Sequence, residues 1–129
     1  MSPEPPTPPP LHELEAEVMD AVWDGDEVAV RDVMEALNAR ASKPRAYTTY
    51  MTIMARLHRK GLLMRRREGQ TDFYRPAYAR GEYADLRARA GVDALVEQYG
   101  DVALSHFARQ MAELDPERRR QLQRLARRK

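Results

Sequence analysis

The sequence predicts a mainly α fold with a small β hairpin, in which three short helices and the hairpin come first and a longer helical region follows. Three observations carry this. Apolar residues recur at three- and four-residue steps through most of the 129-residue chain, the period of amphipathic helices. Glycine is scarce, at 6 residues, while 33% of residues are charged, a composition that fits a soluble helical protein. The helical period is interrupted once, by two short extended runs, Leu62 to Arg67 and Asp72 to Pro76. Between them Glu68-Gly69-Gln70-Thr71 suits a hairpin turn.

Six of the nine prolines fall within residues 1–10, which predicts an extended or disordered tail. Leu11, Leu14, Val18 and Val22 then form the stripe of a first helix ending near Trp23. Glu13, Glu15, Glu17 and Asp20 favour its N-terminal half through the helix dipole. Asp24-Gly25-Asp26 stops this helix, and Glu27-Val28-Ala29 reads as a very short strand. Val30, Val33 and Leu37 mark a second helix running to about Arg40. Ala41 to Pro44 is a linker, since the residue before a proline resists helical geometry. A third helix follows, with Thr48 or Thr49 as N-cap, Tyr50, Ile53 and Leu57 inward, and Lys60-Gly61 as its stop. Beyond the hairpin, the spacing of Leu86, Ala90, Leu95, Tyr99, Ala103, Phe107, Met111 and Leu114 predicts helices broken at Gly91 and Gly100. Asp115-Pro116 starts a last helix with Leu122 and Leu125 on its apolar side. The order of helices and hairpin is that of a winged helix-turn-helix domain. The expected division is a tail at 1–10, a winged-helix domain at 11–78 and a helical dimerisation region at 79–129.

Charge indicates what the domain meets. The overall balance is +2, yet residues 1–42 carry a net −8 and residues 43–67 a net +8 without one carboxylate. Such a block is an electrostatic footprint for a polyanion. The outward face of the third helix has Thr48, Thr52 and Ala55 at its start and Arg56 and Arg59 at its end. Small residues let a helix sit deep in a major groove, where threonine contacts base edges and thymine methyls. Arginines farther along meet phosphates, which fix register. A merely solvated face would carry Glu beside its Arg for i,i+4 pairing, and this one has none. The expected partner is therefore double-stranded DNA. Arg45, Thr48, Thr49, Thr52 and Arg56 form the groove surface, and Lys43, Arg59, Arg65, Arg66 and Arg67 sit on phosphates. Tyr47 is expected either to stack on or hydrogen-bond to DNA or to form an edge of the core. Met51 is the methionine expected near DNA or solvent. The alternative is a protein-binding adaptor using the same basic face on an acidic partner, which the threonine face disfavours.

The later helices have too little mutual surface to stand alone. Leu86, Leu95, Tyr99, Phe107, Met111, Leu114 and Leu122 are expected to bury that surface on an identical chain, the alternative being that these helices fold back on their own domain. No catalytic constellation is visible, so the protein is not expected to be an enzyme. His12, His58 and His106 lie far apart, and there is no cysteine and no glycine-rich phosphate loop. No metal or cofactor is implied. No apolar run is long enough for a membrane span and no signal peptide is recognisable, so a cytoplasmic location is expected.

Residues 11–76 also resemble the penicillinase-repressor (BlaI/MecI-type) family of winged-helix regulators. The matching pieces are Leu14-Glu15-Ala16-Glu17-Val18-Met19 with Trp23, Val30-Arg31-Asp32-Val33, and Ala36-Leu37-Asn38. They continue with Ala46-Tyr47-Thr48-Thr49, Thr52, Arg56-Leu57, Lys60-Gly61-Leu62, Gly69 and Tyr74-Arg75-Pro76. The resemblance implies a homodimeric repressor on palindromic operators of β-lactam-response or related genes. It also implies release when a membrane sensor pathway triggers cleavage in the dimerisation helices, beside a phenylalanine preceded by asparagine. The nearest counterpart is His106-Phe107, where histidine replaces the asparagine. Two further departures are Tyr50 in place of a small aliphatic residue and His12 where Ser or Thr caps the first helix. The lack of cysteine sets the chain apart from a copper-responsive branch with a cysteine-rich site.

Overall fold

A computed structural model describes residues 7–128. Its elements are α1 (Glu13–Gly25), β1 (Val28–Ala29), α2 (Val30–Asn38), α3 (Tyr47–Arg59), β2 (Leu63–Glu68), β3 (Thr71–Pro76), α4 (Arg80–Tyr99), α5 (Asp101–Glu113) and α6 (Pro116–Arg127). The fold is mostly helical, with one three-stranded antiparallel sheet in the order β1-β3-β2. Packing divides the chain between Ala88 and Arg89 into two compact units.

In the first unit, α1, α2 and α3 close over one face of the sheet. Val18, Met19 and Val22 of α1, Val33 and Leu37 of α2, and Tyr50, Ile53, Met54 and Leu57 of α3 are buried together with Leu62, Leu63 and Tyr74. Val18, Val22, Val33, Leu37, Tyr50, Ile53 and Leu57 among them are inward residues expected from helical spacing, and Val30 is buried too, whereas Leu11 and Leu14 are only partly buried against this core. The short strand expected at Glu27–Ala29 forms at Val28–Ala29, pairing with Tyr74 and Phe73 of β3. Gly25 lets it approach, because a Cβ there would come within 2.5 Å of a Val28 methyl carbon. The β2–β3 turn is tighter than expected. Only Gly69 and Gln70 lie between the strands, and Gly69 has φ +63°. Positive φ at the first central position and not the second is the pattern of a type II′ hairpin, which matches strand twist.

Several helix ends differ from expectation. The N-cap of α3 is Ala46, so Thr48 and Thr49 lie inside the helix. The cause is upstream: the Asn38 side chain donates to the Arg45 carbonyl at 2.9 Å and accepts from the Arg45 amide at 3.0 Å. That clamp fixes the chain just before the helix, with Thr48 exposed and Thr49 half-buried in its first turn. The same Asn38 closes α2 two residues before Arg40. Gly91 does not break α4, since one glycine inside a long helix costs only about 1 kcal/mol relative to alanine. The break is at Gly100 alone, where φ is +59°. Asp115 caps α6 as expected, accepting from the Arg118 amide at 2.9 Å.

Residues 1–6 of the expected tail lie outside the described residues. The rest of it is not a free tail: Pro8 is buried, and the Pro8 and Pro9 carbonyls accept hydrogen bonds from α4.

The second unit contains the end of α4 with α5 and α6. Arg119 donates to the carbonyls of Met111, Ala112 and Leu114 at 3.0–3.1 Å, satisfying the acceptors that the end of α5 leaves without helical partners. Apolar side chains here stay largely uncovered. Ala103 is its one buried hydrophobic residue among those described, while Val92, Leu95, Tyr99, Val102, Leu104 and Leu125 are exposed.

Candidate nucleic-acid interface

The candidate reading surface is built on α3. Its buried stripe of Tyr50, Ile53, Met54 and Leu57 anchors one side, and two devices hold its ends. At the N-terminal end, the Tyr50 hydroxyl donates to Asn38 Oδ1 at 2.7 Å, so one amide ties α2, the linker and α3 together. Tyr50 is fully buried, and the partner for its hydroxyl explains how a tyrosine occupies this core position. At the C-terminal end, Lys60 donates to both carboxylate oxygens of Glu15, at 2.9 and 3.1 Å. Glu15 is only 2% exposed and also accepts from the His12 amide at 3.0 Å. Burial opposes ionisation of Glu15, but the hydrogen bonds from Lys60 and His12 and the Lys60 charge outweigh it. They hold the carboxyl below its ordinary range.

With both ends fixed, Thr48, Thr49, Thr52, Ile53 and Arg56 line a shallow open concavity of about 350 Å³. Thr48 and Thr52 are exposed, with Arg59 exposed one turn beyond Arg56. Lys43 and Arg45 are exposed in the segment leading into the helix. Among the described residues, Lys43, Arg45, Arg56, Arg59 and Arg65 make no ion pair. The acid-free helix face thus carries Arg56 and Arg59 without a carboxylate partner, as do Lys43 and Arg45 in the segment before it.

The hairpin separates the three arginines that the sequence groups together. Side chains alternate across a strand, so Arg65 and Arg67 share the face of the buried Leu63 and Tyr74, while Arg66 is on the other. There Arg66 pairs with Glu27 and Glu68, both at 2.7 Å, and its guanidinium lies 5.0 Å from the centre of the Phe73 ring. Hydrogen bonds to Glu27 and then to Glu68 raise the Arg66 pKa, and Glu27 is lowered chiefly by its bond to Arg66. The expected phosphate role of Arg66 therefore meets a charge already matched by two carboxylates. Lys60 is likewise taken up by Glu15. The eight cations of the block divide into structural and outward-facing members, a distinction that residue type cannot reveal.

Tyr47 is 43% exposed but stands apart from the threonine concavity. With Met51, 44% exposed, it lines a second groove of about 540 Å³ bounded by Arg31 on α2 and by Arg67, Gln70 and Phe73 on the hairpin. Arg67 is near Asp72 at 3.8 Å across this groove wall. Neither Arg31 nor Gln70 is among the DNA-facing residues expected from the sequence. A signal existed for Arg31: a cation in the first turn of α2 opposes the helix dipole, which argues for a purpose other than helix stability.

The residues expected to dimerise divide between the two units. Leu86 belongs to the first. Within the second, Leu95, Tyr99 and Phe107, with Val102, Ala103 and His106, line an apolar hollow of about 270 Å³. Met111, Leu114 and Leu122 are half-buried.

Comparison with known proteins follows the same lines. A family model described as penicillinase repressor matches residues 11–128. Two relatives from Mycobacterium tuberculosis strains, each named transcriptional regulator BlaI, are 42% identical over 102 residues, covering 75% of this chain and 70% of theirs. A solved structure is described as the Bacillus licheniformis BlaI monomeric form in complex with the blaP half-operator. It is similar at a TM-score of 0.49 and 26% identity, covering 59% of this chain and 90% of that one.

Proposed function

The chain belongs to the penicillinase repressor family, and from that premise we propose that it represses transcription as a homodimer on palindromic operators of β-lactam-response or related genes. The family is one of DNA-binding transcriptional regulators, not enzymes. No described helix is long and apolar enough to cross a membrane.

The observation that carries the proposal is the concavity of Thr48, Thr49, Thr52 and Arg56 on an acid-free helix, with Lys43, Arg45, Arg59 and Arg65 exposed and, among the described residues, outside every ion pair. Thr52 and its neighbours read bases, Arg45 and Arg56 flank them, and Lys43, Arg59 and Arg65 sit on phosphates. Tyr47, Arg67 and Arg31 serve the second groove, where the hairpin and α2 flank the duplex. The uncovered apolar surface of Leu95, Tyr99 and Phe107 supports pairing with a second copy, in which residues 79–129 supply the seam and 11–78 the reader.

Release by the sensor pathway would cut His106-Phe107. That bond lies in α5, with His106 exposed, so cutting requires this helix to open locally. Cleavage there separates the reader from part of its seam. Exposing the host to a β-lactam and finding fragments ending at His106 by mass spectrometry supports this release, whereas derepression with an intact chain rejects it.

The test of the dimeric reading is half-site spacing. Two-fold-related helices reach half-sites about one turn apart, roughly 34–36 Å or a multiple. Inserting five base pairs places one half-site on the far side of the duplex and should abolish tight binding. Unchanged affinity in a gel shift refutes the dimeric reading.

A further inference from the structure

Thr7-Pro8-Pro9-Pro10 crosses the start of α4. Pro8 is buried and Pro9 half-buried. The Tyr83 hydroxyl donates to the Pro9 carbonyl at 2.9 Å, and Arg87 Nη1 donates to the Pro8 carbonyl at 3.2 Å. Tyr83 and Arg87 are four residues apart, hence neighbours on one helix face. Prolines offer carbonyls but no N–H, and each of Thr7, Pro8 and Pro9 precedes a proline, which confines it to extended geometry. A surface that recognises such a chain needs an aromatic side chain against it and donors aimed at its carbonyls. Tyr83 and Arg87 supply both.

The seat is itself braced. The Tyr83 ring leans on Trp23 of α1 at 5.6 Å between centroids, and Trp23 Nε1 donates to the Tyr78 carbonyl at 2.8 Å. Arg80 lies over the Trp23 ring at 5.4 Å and pairs with Asp24 at 3.0 Å. Burial raises the Tyr83 pKa, which keeps the hydroxyl a donor. α4 has no fully buried residue of its own, so contacts on its first turns decide how well they hold.

We propose that the α4 face carrying Tyr83 and Arg87 is a polyproline-binding surface, and that Pro8-Pro9 occupies it in cis as a strap fastening the first turns of α4 to α1. A proline run is already extended when free, so seating it loses little conformational entropy. None of these residues lines the threonine concavity, and the strap stands whether or not that surface reads DNA.

Hydrogen exchange tests this on three proteins: the full chain, the chain lacking residues 1–10, and Tyr83→Phe, which keeps the ring and removes the donor. Two hydrogen bonds of ordinary net worth set the scale. Amides of residues 83–88 should exchange about ten- to thirtyfold faster in the shortened chain and about fivefold faster in Tyr83→Phe, with α3 amides unchanged. A synthetic peptide of residues 1–10, added in trans to the shortened chain, should restore the slow exchange. The same peptide with alanine at every proline should not. Unchanged exchange at 83–88 on deletion, an equal rise in α3, or equal rescue by the alanine peptide each overturns the proposal.

Discussion

Replacing Lys60 by methionine isolates the clamp at the C-terminal end of α3. The substitution keeps an unbranched apolar stem and removes the ammonium that donates to both Glu15 oxygens at 2.9 and 3.1 Å. Glu15 is 2% exposed, so its charge would be left buried with only the His12 amide as partner. Breaking a buried pair from one side costs about 3–5 kcal/mol. The Lys60 side chain is 29% exposed, which lets water enter and brings the expected loss to about 2–3 kcal/mol. For a domain of this size that is a fall in Tm of roughly 10–20 °C. The sign with pH follows from Glu15. Its folded pKa lies below the ordinary range, so the stabilisation is present above the unfolded value and is lost as pH falls through the folded one. Denaturant unfolding of both proteins at neutral pH, and at pH values stepped down below roughly 4, measures the difference. The gap should be widest at neutral pH and shrink as Glu15 is protonated. Glu15→Gln, which keeps an acceptor for His12, should cost less, about 1 kcal/mol. A Lys60→Met loss that is the same at neutral and acid pH refutes the buried-charge argument and reduces Lys60 to a packing residue.

Three further outcomes follow from the geometry. Arg65→Ala should lower the slope of log affinity against log salt on operator DNA by about one counterion, while Arg66→Ala should leave the slope nearly unchanged, because its charge is matched by Glu27 and Glu68. Equal slope changes in salt titrations would show that Arg66 leaves its carboxylates on binding. Asn38→Ala should lower stability by about 1–3 kcal/mol, since it strands the buried Tyr50 hydroxyl as well as loosening Arg45. Adding Tyr50→Phe should recover part of that loss in a double-mutant cycle, and purely additive losses would mean the two are not coupled. Phe107→Asp should give folded monomers by sedimentation that bind operator poorly, because an unpaired charge in an apolar seam costs several kcal/mol. Persistence of a dimer at micromolar concentration would place Phe107 outside the seam.

The order of elements through the hairpin, most of the inward stripes of α1 to α3 and the family were legible in the sequence. All of these depend on local periodicity and turn chemistry, which residues carry within a few positions of one another. It also located the threonine set of α3, since one helix face is legible from spacing alone. The tertiary structure decided what spacing cannot express. Arg65, Arg66 and Arg67 are equivalent as letters, but strand alternation and the arrival of Glu27 on the neighbouring β1–α1 corner turn Arg66 into a structural cation. Lys60 belongs to Glu15, 45 residues away, and Asn38 sets the start of α3 through a clamp that no N-cap rule anticipates. Pro8 and Pro9 look like tail until Tyr83 and Arg87 supply donors for their carbonyls. In each case a polar group's role depends on which partner the fold brings within about 3 Å, and that distance exists only once the chain has packed.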